Sequence, residues 1–434
     1  MSIGLWFLEQ EARALVTRLA RVKPFALQES MVAAAGISPT AQTAIERHLA
    51  KGRWELRESA RQFLEWLREW DARGGTPAEA QRRFMLLRLR FNAVLSQFDI
   101  FADVLTQRSE HETGVWLAGL DAVAADALAL PAYYDTPPVI CYLDRGAGAA
   151  IRRARTRLPG GGENPVAIIR VPRERMVGAG IASSLVHEVG HQAAALLGLV
   201  DSLREVLKRE WQRVGGGHDS PWRYWERCIS EVVGDFWSVA RVGLASTLGL
   251  IGVVSLPRAF VFRINLDDPH PFPWIRVKLS CAIGHALYPH PQWGRTARLW
   301  EGFYPKEGLD SARRGVLARL EASIGDFVRL LVNHRPKALK GRSLIEAMEV
   351  EKREPARLAN YFERWRASPR EMYRAPPSLV FAVIGQARAS GKMTPEAESR
   401  VLARLLTHWA LRTTLDTSAI CASLPKARAS APAT

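Results

Sequence analysis

The segment His187-Glu188-Val189-Gly190-His191 limits what this chain can fold into more than any other feature. It lies in a stretch, Ile181 to Val200, in which Val186, Val189, Ala193, Leu196 and Val200 recur at steps of 3, 4, 3 and 4, the spacing of one helix face. At about 100° per residue, His187 and His191 fall opposite that stripe. The helix must therefore pack its back on a core while both imidazoles point together into a cleft. Two His at i and i+4 supply two nitrogens to a metal ion, and a catalytic zinc needs a third protein ligand plus a position open to water.

The third ligand is expected at Glu231, in the stretch Ser220-Pro221 to Asp235. There Ser220 can cap a helix and Pro221 suits its first position. Glu231 and Asp235 are four residues apart and share a face of that helix. A carboxylate ligand followed one turn later by another carboxylate is the arrangement expected if Asp235 orients a ligating His by accepting its distal N–H. Thirty-nine residues separate His191 from Glu231, an interval with a further helix over Asp201 to Val214 and a Gly215-Gly216-Gly217 loop. His218 and Glu226 in this region are alternative third ligands.

HEVGH followed by Glu231 and Asp235 resembles the gluzincin zinc metallopeptidases. The resemblance covers the central third of the chain, Pro137 to His290. The continuation HQAAALLG lacks the third histidine of the metzincin pattern. The resemblance implies one Zn2+ held by His187, His191 and Glu231, Glu188 as general base, and a peptide or protein substrate. It also implies that the strand Asn164 to Val171, ahead of the metal helix, is a sheet edge to which an extended peptide adds. Downstream, Asp267-Asp268-Pro269-His270-Pro271-Phe272-Pro273 pins a rigid turn leading into a helix. By the same resemblance His270, with Arg276, donates to the developing oxyanion. The expected fold is α+β and predominantly helical, a zincin-like core of a small sheet, the HExxH helix and the Glu-ligand helix, flanked by helical regions.

Residues 1–130 read as helices. Trp54, Phe63, Leu64, Leu67 and Trp70 recur near helical spacing, and a helix from Pro77 into the 90s carries Phe84, Leu87, Phe91, Val94 and Phe98. These aromatic stripes are read as bundle core. Residues 131–295 form the metal-binding core, with strands at Pro137 to Asp144 and Asn164 to Pro172. Between them Arg152, Arg153, Arg155 and Arg157 read as a solvated helix face followed by a glycine turn. Residues 296–420 return to helices, near Ser311 to Asn333, Pro355 to Ala367 and Pro395 to Leu411. Residues 421–434, rich in Ala, Ser and Pro, are expected to be disordered.

With 434 residues, 47% of them hydrophobic, the chain can bury a sizeable core. The longest weakly polar run, Val242 to Leu256, is shorter than the roughly 20 residues of a membrane span and reads as a buried helix and turn. The four cysteines form no CxxC pair, and the N-terminus lacks a secretory signal pattern, so a cytoplasmic location is expected. A net charge of +16 favours anionic partners and leaves nucleic acid open, although no motif supports it. Two other readings follow: a zinc hydrolase of a non-peptide amide or ester, and a basic nucleic-acid- or protein-binding module with a vestigial zinc site. Ser183 and Ser184 lack a Gly-x-Ser-x-Gly elbow, which argues against a serine hydrolase.

Overall fold

The computed structural model of the chain describes residues 2–144, 148–159, 161–173 and 178–423. Helices α1 (Ile3–Arg21), α2 (Pro39–Ala72), α3 (Pro77–Thr106) and α4 (His111–Leu128) come first. Strands β1 (Val139–Asp144), β2 (Ala150–Arg152) and β3 (Ala167–Pro172) follow. Helices α5 (Gly180–Leu197), α6 (Leu199–Arg213), α7 (Pro221–Val242), α8 (Leu244–Val254), α9 (Arg258–Val261) and α10 (Pro273–Leu287) complete the central part. The rest comprises α11 (Gln292–Phe303), α12 (Ser311–Asn333), α13 (Leu344–Ala347), α14 (Pro355–Ala367), α15 (Pro369–Arg374), α16 (Pro377–Ala389) and α17 (Pro395–Ser423). The protein is thus predominantly helical with one small three-stranded sheet.

Most helices fall where the apolar periodicity puts them. Ser38 accepts a hydrogen bond from the Ala41 amide at the start of α2, and Asp310 does the same for Arg313 at the start of α12, so each satisfies a free N-terminal donor. Phe84, Leu87, Phe91, Val94 and Phe98 are all buried. Trp54 departs from the expected stripe: it is 66% exposed. The apolar run from 242 to 256 is divided between the end of α7 and α8, both largely buried. No helix among the described residues is long and apolar enough to cross a membrane. Helix α17 runs past Leu411 to Ser423; of the tail expected to be disordered, residues 424–434 lie outside the described residues.

The sheet order is β1-β3-β2, with β1 parallel and β2 antiparallel to β3. Strand β3 is therefore central, which corrects its expected place as a sheet edge; the antiparallel edge is β2, pairing Ile151 with Ile169. Arg152 ends that strand, Arg155 has a φ of 61°, and Arg157 bridges to Glu163. The arginine run is thus an edge strand and turn rather than a helix. Three residues with one β-branched side chain carry too little pattern to announce a strand.

Side chains of β1 and β3 alternate between two apolar bodies. Ile140 and Ile168 join a cluster formed mostly by α1, α2 and α3, while Cys141, Leu143, Ile169 and Val171 join a larger one that extends from Leu117 to Trp409. Burial on both faces accounts for the nearly unbroken apolar run Val166 to Ile169. The larger cluster joins the central helices to the C-terminal ones. At the mouth of α5 the Ala179 amide donates to Glu398 of α17, 219 positions later, at 2.9 Å.

Candidate metal centre

Helices α5 and α7 carry the expected ligands, and two glycines set how closely they meet. A Cβ on Gly190 would lie 2.8 Å from the Trp237 Cβ and 2.9 Å from the Gly234 Cα. A Cβ on Gly234 would lie 2.7 Å from the His187 Cε1. The helices thus cross backbone to backbone, and the His187 ring rests on the bare face of Gly234. The left-handed Gly198 (φ 61°) closes α5, a conformation that costs glycine little. Pro221 opens α7, as read from the sequence, and Ser220 stands at the cap position without donating or accepting a side-chain cap bond.

The three predicted ligands come together. Nitrogens of His187 and His191 and a carboxylate oxygen of Glu231 all lie within 4.8 Å of one another, so the group could hold a metal ion. The Glu231 Oε2 is 3.2 Å from the His187 Nε2 and 3.5 Å from the His191 Nε2. The two imidazole rings stand at 90°, their centroids 4.8 Å apart. The alternative ligands are occupied elsewhere: His218 bonds Arg223, and Glu226 lies 3.7 Å from Arg204.

A chain of partners stands behind His187. Its Nδ1 is 2.8 Å from the Asp235 Oδ1. Arg276 grips the same carboxylate through its Nε at 2.7 Å and Nη2 at 2.8 Å. Burial alone would raise the Asp235 pKa, but Arg276 and His187 outweigh it and hold this carboxyl well below its usual range. An ionised carboxylate can only accept, so the His187 Nδ1 must donate and the Nε2 faces Glu231. Burial opposes charge on His187 too, yet Asp235 and Glu231 overcome it and lift the imidazole to about 9. Glu231 is likewise driven down, against the effect of burial, by bonds from His187, His191 and His270.

This arrangement gives Arg276 a contact that its sequence position did not announce. With Nε and Nη2 committed to Asp235 and its side chain 11% exposed, it braces His187 from behind. His270 does reach the ligand cluster: its Nε2 is 3.0 Å from the Glu231 Oε2. The proline turn is held by the Asp268 Oδ1, which accepts from the His270 amide at 2.9 Å and lies 2.8 Å from its Nδ1. The Phe272 amide donates to the Tyr224 hydroxyl at 2.6 Å. The segment is tied to α7 at further points: Arg227 donates to the Leu266 carbonyl, His270 meets Glu231, and Arg276 meets Asp235.

Glu188 is buried on α5 and makes no hydrogen bond or ion pair with any described residue. Sequence reasoning did not identify Gly234 as the seat of a histidine, nor Tyr224 as the anchor of the proline turn. Gly190 and Gly234, each one residue from a predicted functional side chain, were the signal that could have suggested a close helix crossing. The chain matches no family model, no curated protein and no solved structure.

Proposed function

We propose that this protein is a zinc-dependent hydrolase of the gluzincin kind, with a zincin-like core and a peptide as substrate. The convergence of the His187, His191 and Glu231 atoms within 4.8 Å carries the reading. Two imidazoles and one carboxylate are the donor set of a catalytic rather than a closed structural zinc site. The Asp235 partner on the far nitrogen of His187 fits as well, because ligating histidines generally pass that N–H to a carboxylate or carbonyl.

His187, His191 and Glu231 would hold the ion, which when bound acts as a Lewis acid on a carbonyl and makes water a nucleophile near neutral pH. Glu188, buried and without a partner among the described residues, takes the proton of the attacking water and passes it to the leaving amine. His270 donates from Nε2 to the oxygen on which negative charge develops. Arg276 and Asp235 fix the tautomer of His187. Among the described residues strand β2 pairs only with β3, and just beyond it the Ala154 amide donates to Gln192 of α5 at 2.8 Å. An extended peptide adding to β2 would gain main-chain hydrogen bonds beside the metal helix.

Elemental analysis of the purified chain and of Glu231→Ala tests the reading. One zinc per parent chain and much less in the variant is the expected result, with hydrolysis of a peptide library by the parent and none by Glu188→Gln. A parent that takes up no zinc on reconstitution, or hydrolysis that survives Glu188→Gln, would overturn it.

A further inference from the structure

A second constellation lies among the C-terminal helices. On α17, Arg400, Arg404, His408 and Arg412 recur every fourth residue, which lays them in a row. Helix α15 carries Arg370 and Arg374, also four apart. Arg370, Tyr373, Arg374, His408 and Arg412 line an open hollow of about 730 Å3, and no acid lines it with them. The Tyr373 ring meets the His408 ring edge-on at 4.8 Å. Arg370 and Arg374 form no ion pair with any described residue, and Arg412 reaches Asp416 only at 3.8 Å.

Tyr373 also lines a second cavity, of about 240 Å3, walled by Phe362, Trp365, Met372, Ile384 and Val401. A concentrated positive charge, in which only Arg412 meets an acid among the described residues, therefore adjoins a small apolar slot. We propose that this paired site binds an anionic amphiphile, a free molecule with one alkyl chain in the slot and a phosphate monoester head against the arginines. Guanidinium groups match the geometry of phosphate oxygens, and a dianionic head suits a hollow with several cations and no acid.

Other occupants fit less well. Phe362 and Trp365 are 7% and 5% exposed, so neither offers a face on which a nucleic-acid base can stack. The walls come mainly from helices, which leave no strand edge for an extended peptide. The slot is too small for the two chains of a membrane lipid. The proposal is independent of the metal centre.

Calorimetric titration of the full chain with octyl phosphate, inorganic phosphate and 1-octanol tests it. Octyl phosphate should bind at least about tenfold tighter than either of its parts, a difference of about 1.4 kcal/mol. Arg370→Glu with Arg374→Glu, both exposed positions, should weaken octyl phosphate by a similar factor. Val401→Phe should abolish the advantage of the alkyl chain while leaving inorganic phosphate unchanged. Octyl phosphate binding no tighter than inorganic phosphate, or equally tight to the double arginine variant, would overturn the proposal. So would arginine-dependent binding of a single-stranded oligonucleotide or of phosphatidylglycerol vesicles by a chain that ignores octyl phosphate.

Discussion

Replacing Gly234 by alanine is the most direct test of how the helix crossing builds the proposed metal centre. The added methyl would lie 2.7 Å from the Cε1, 2.8 Å from the Nδ1 and 3.1 Å from the Nε2 of His187. The ring has to retreat by about 0.7 Å to reach ordinary contact, which exceeds the roughly 0.2 Å tolerated in a metal-ligand distance. It cannot retreat freely, because its Nδ1 is tied to Asp235 and the other side of the crossing is closed by Gly190 against Trp237. Overpacking of this kind costs about 1–3 kcal/mol of stability. Disturbing the support of a ligating histidine typically weakens metal binding by about 10–100-fold. Zinc affinity is read by competition with a chromophoric chelator and stability by urea unfolding. Gly252→Ala serves as the control: a Cβ there meets nothing within 4 Å, and zinc affinity should not change. A Gly234→Ala chain that binds zinc as the parent does would refute the claim that the bare face of Gly234 seats the histidine.

Other outcomes follow from the same geometry. Glu188→Gln should retain zinc by elemental analysis while hydrolysis of a cleaved peptide is lost, a fall in kcat beyond the roughly 10²–10⁴-fold that a general base contributes; equal loss of zinc would mean that Glu188 supports the site instead of acting on water. Arg276→Met leaves the buried Asp235 without its cation and should cost about 3–5 kcal/mol in urea unfolding. Adding Asp235→Asn to it should restore much of the stability but not the zinc affinity, and full recovery of both would contradict the bracing role of Asp235. Burial raises the Glu321 pKa, but Lys306 and Lys278, at 2.9 and 3.0 Å, outweigh it and lower the carboxyl from its usual 4.5. The stability this contributes is present above pH 4.5 and is lost as the pH falls through the lowered value. Unfolding midpoints of Lys278→Met should therefore fall less than those of the parent over that acid range, and parallel pH profiles would exclude the coupling.

The four residues His187, His191, Glu231 and Asp235 could be read from the chain because helical spacing converts sequence distance into a shared face. His270 could be read as fixed, since three prolines within five residues surround it, but its distance from Glu231 could not. The pairing of Arg276 with Asp235 depends on how α10 lies along α7, a tertiary fact that no local period encodes. The same limit explains Trp54, which has the right spacing for a buried stripe but lies on an exposed part of α2. β2 escaped notice for a local reason, its shortness, and with it the antiparallel edge of the sheet.

The hydrogen bond from Ala179 to Glu398 has a consequence for when the protein matures. It ties the start of α5 to a residue made 219 positions later. At a synthesis rate of roughly 5–20 residues per second, that partner emerges about 10–40 s after Ala179. On the ribosome, both histidines are therefore synthesised well before the residue that anchors Ala179. Assembly of the proposed site is thereby coupled to the synthesis of α17.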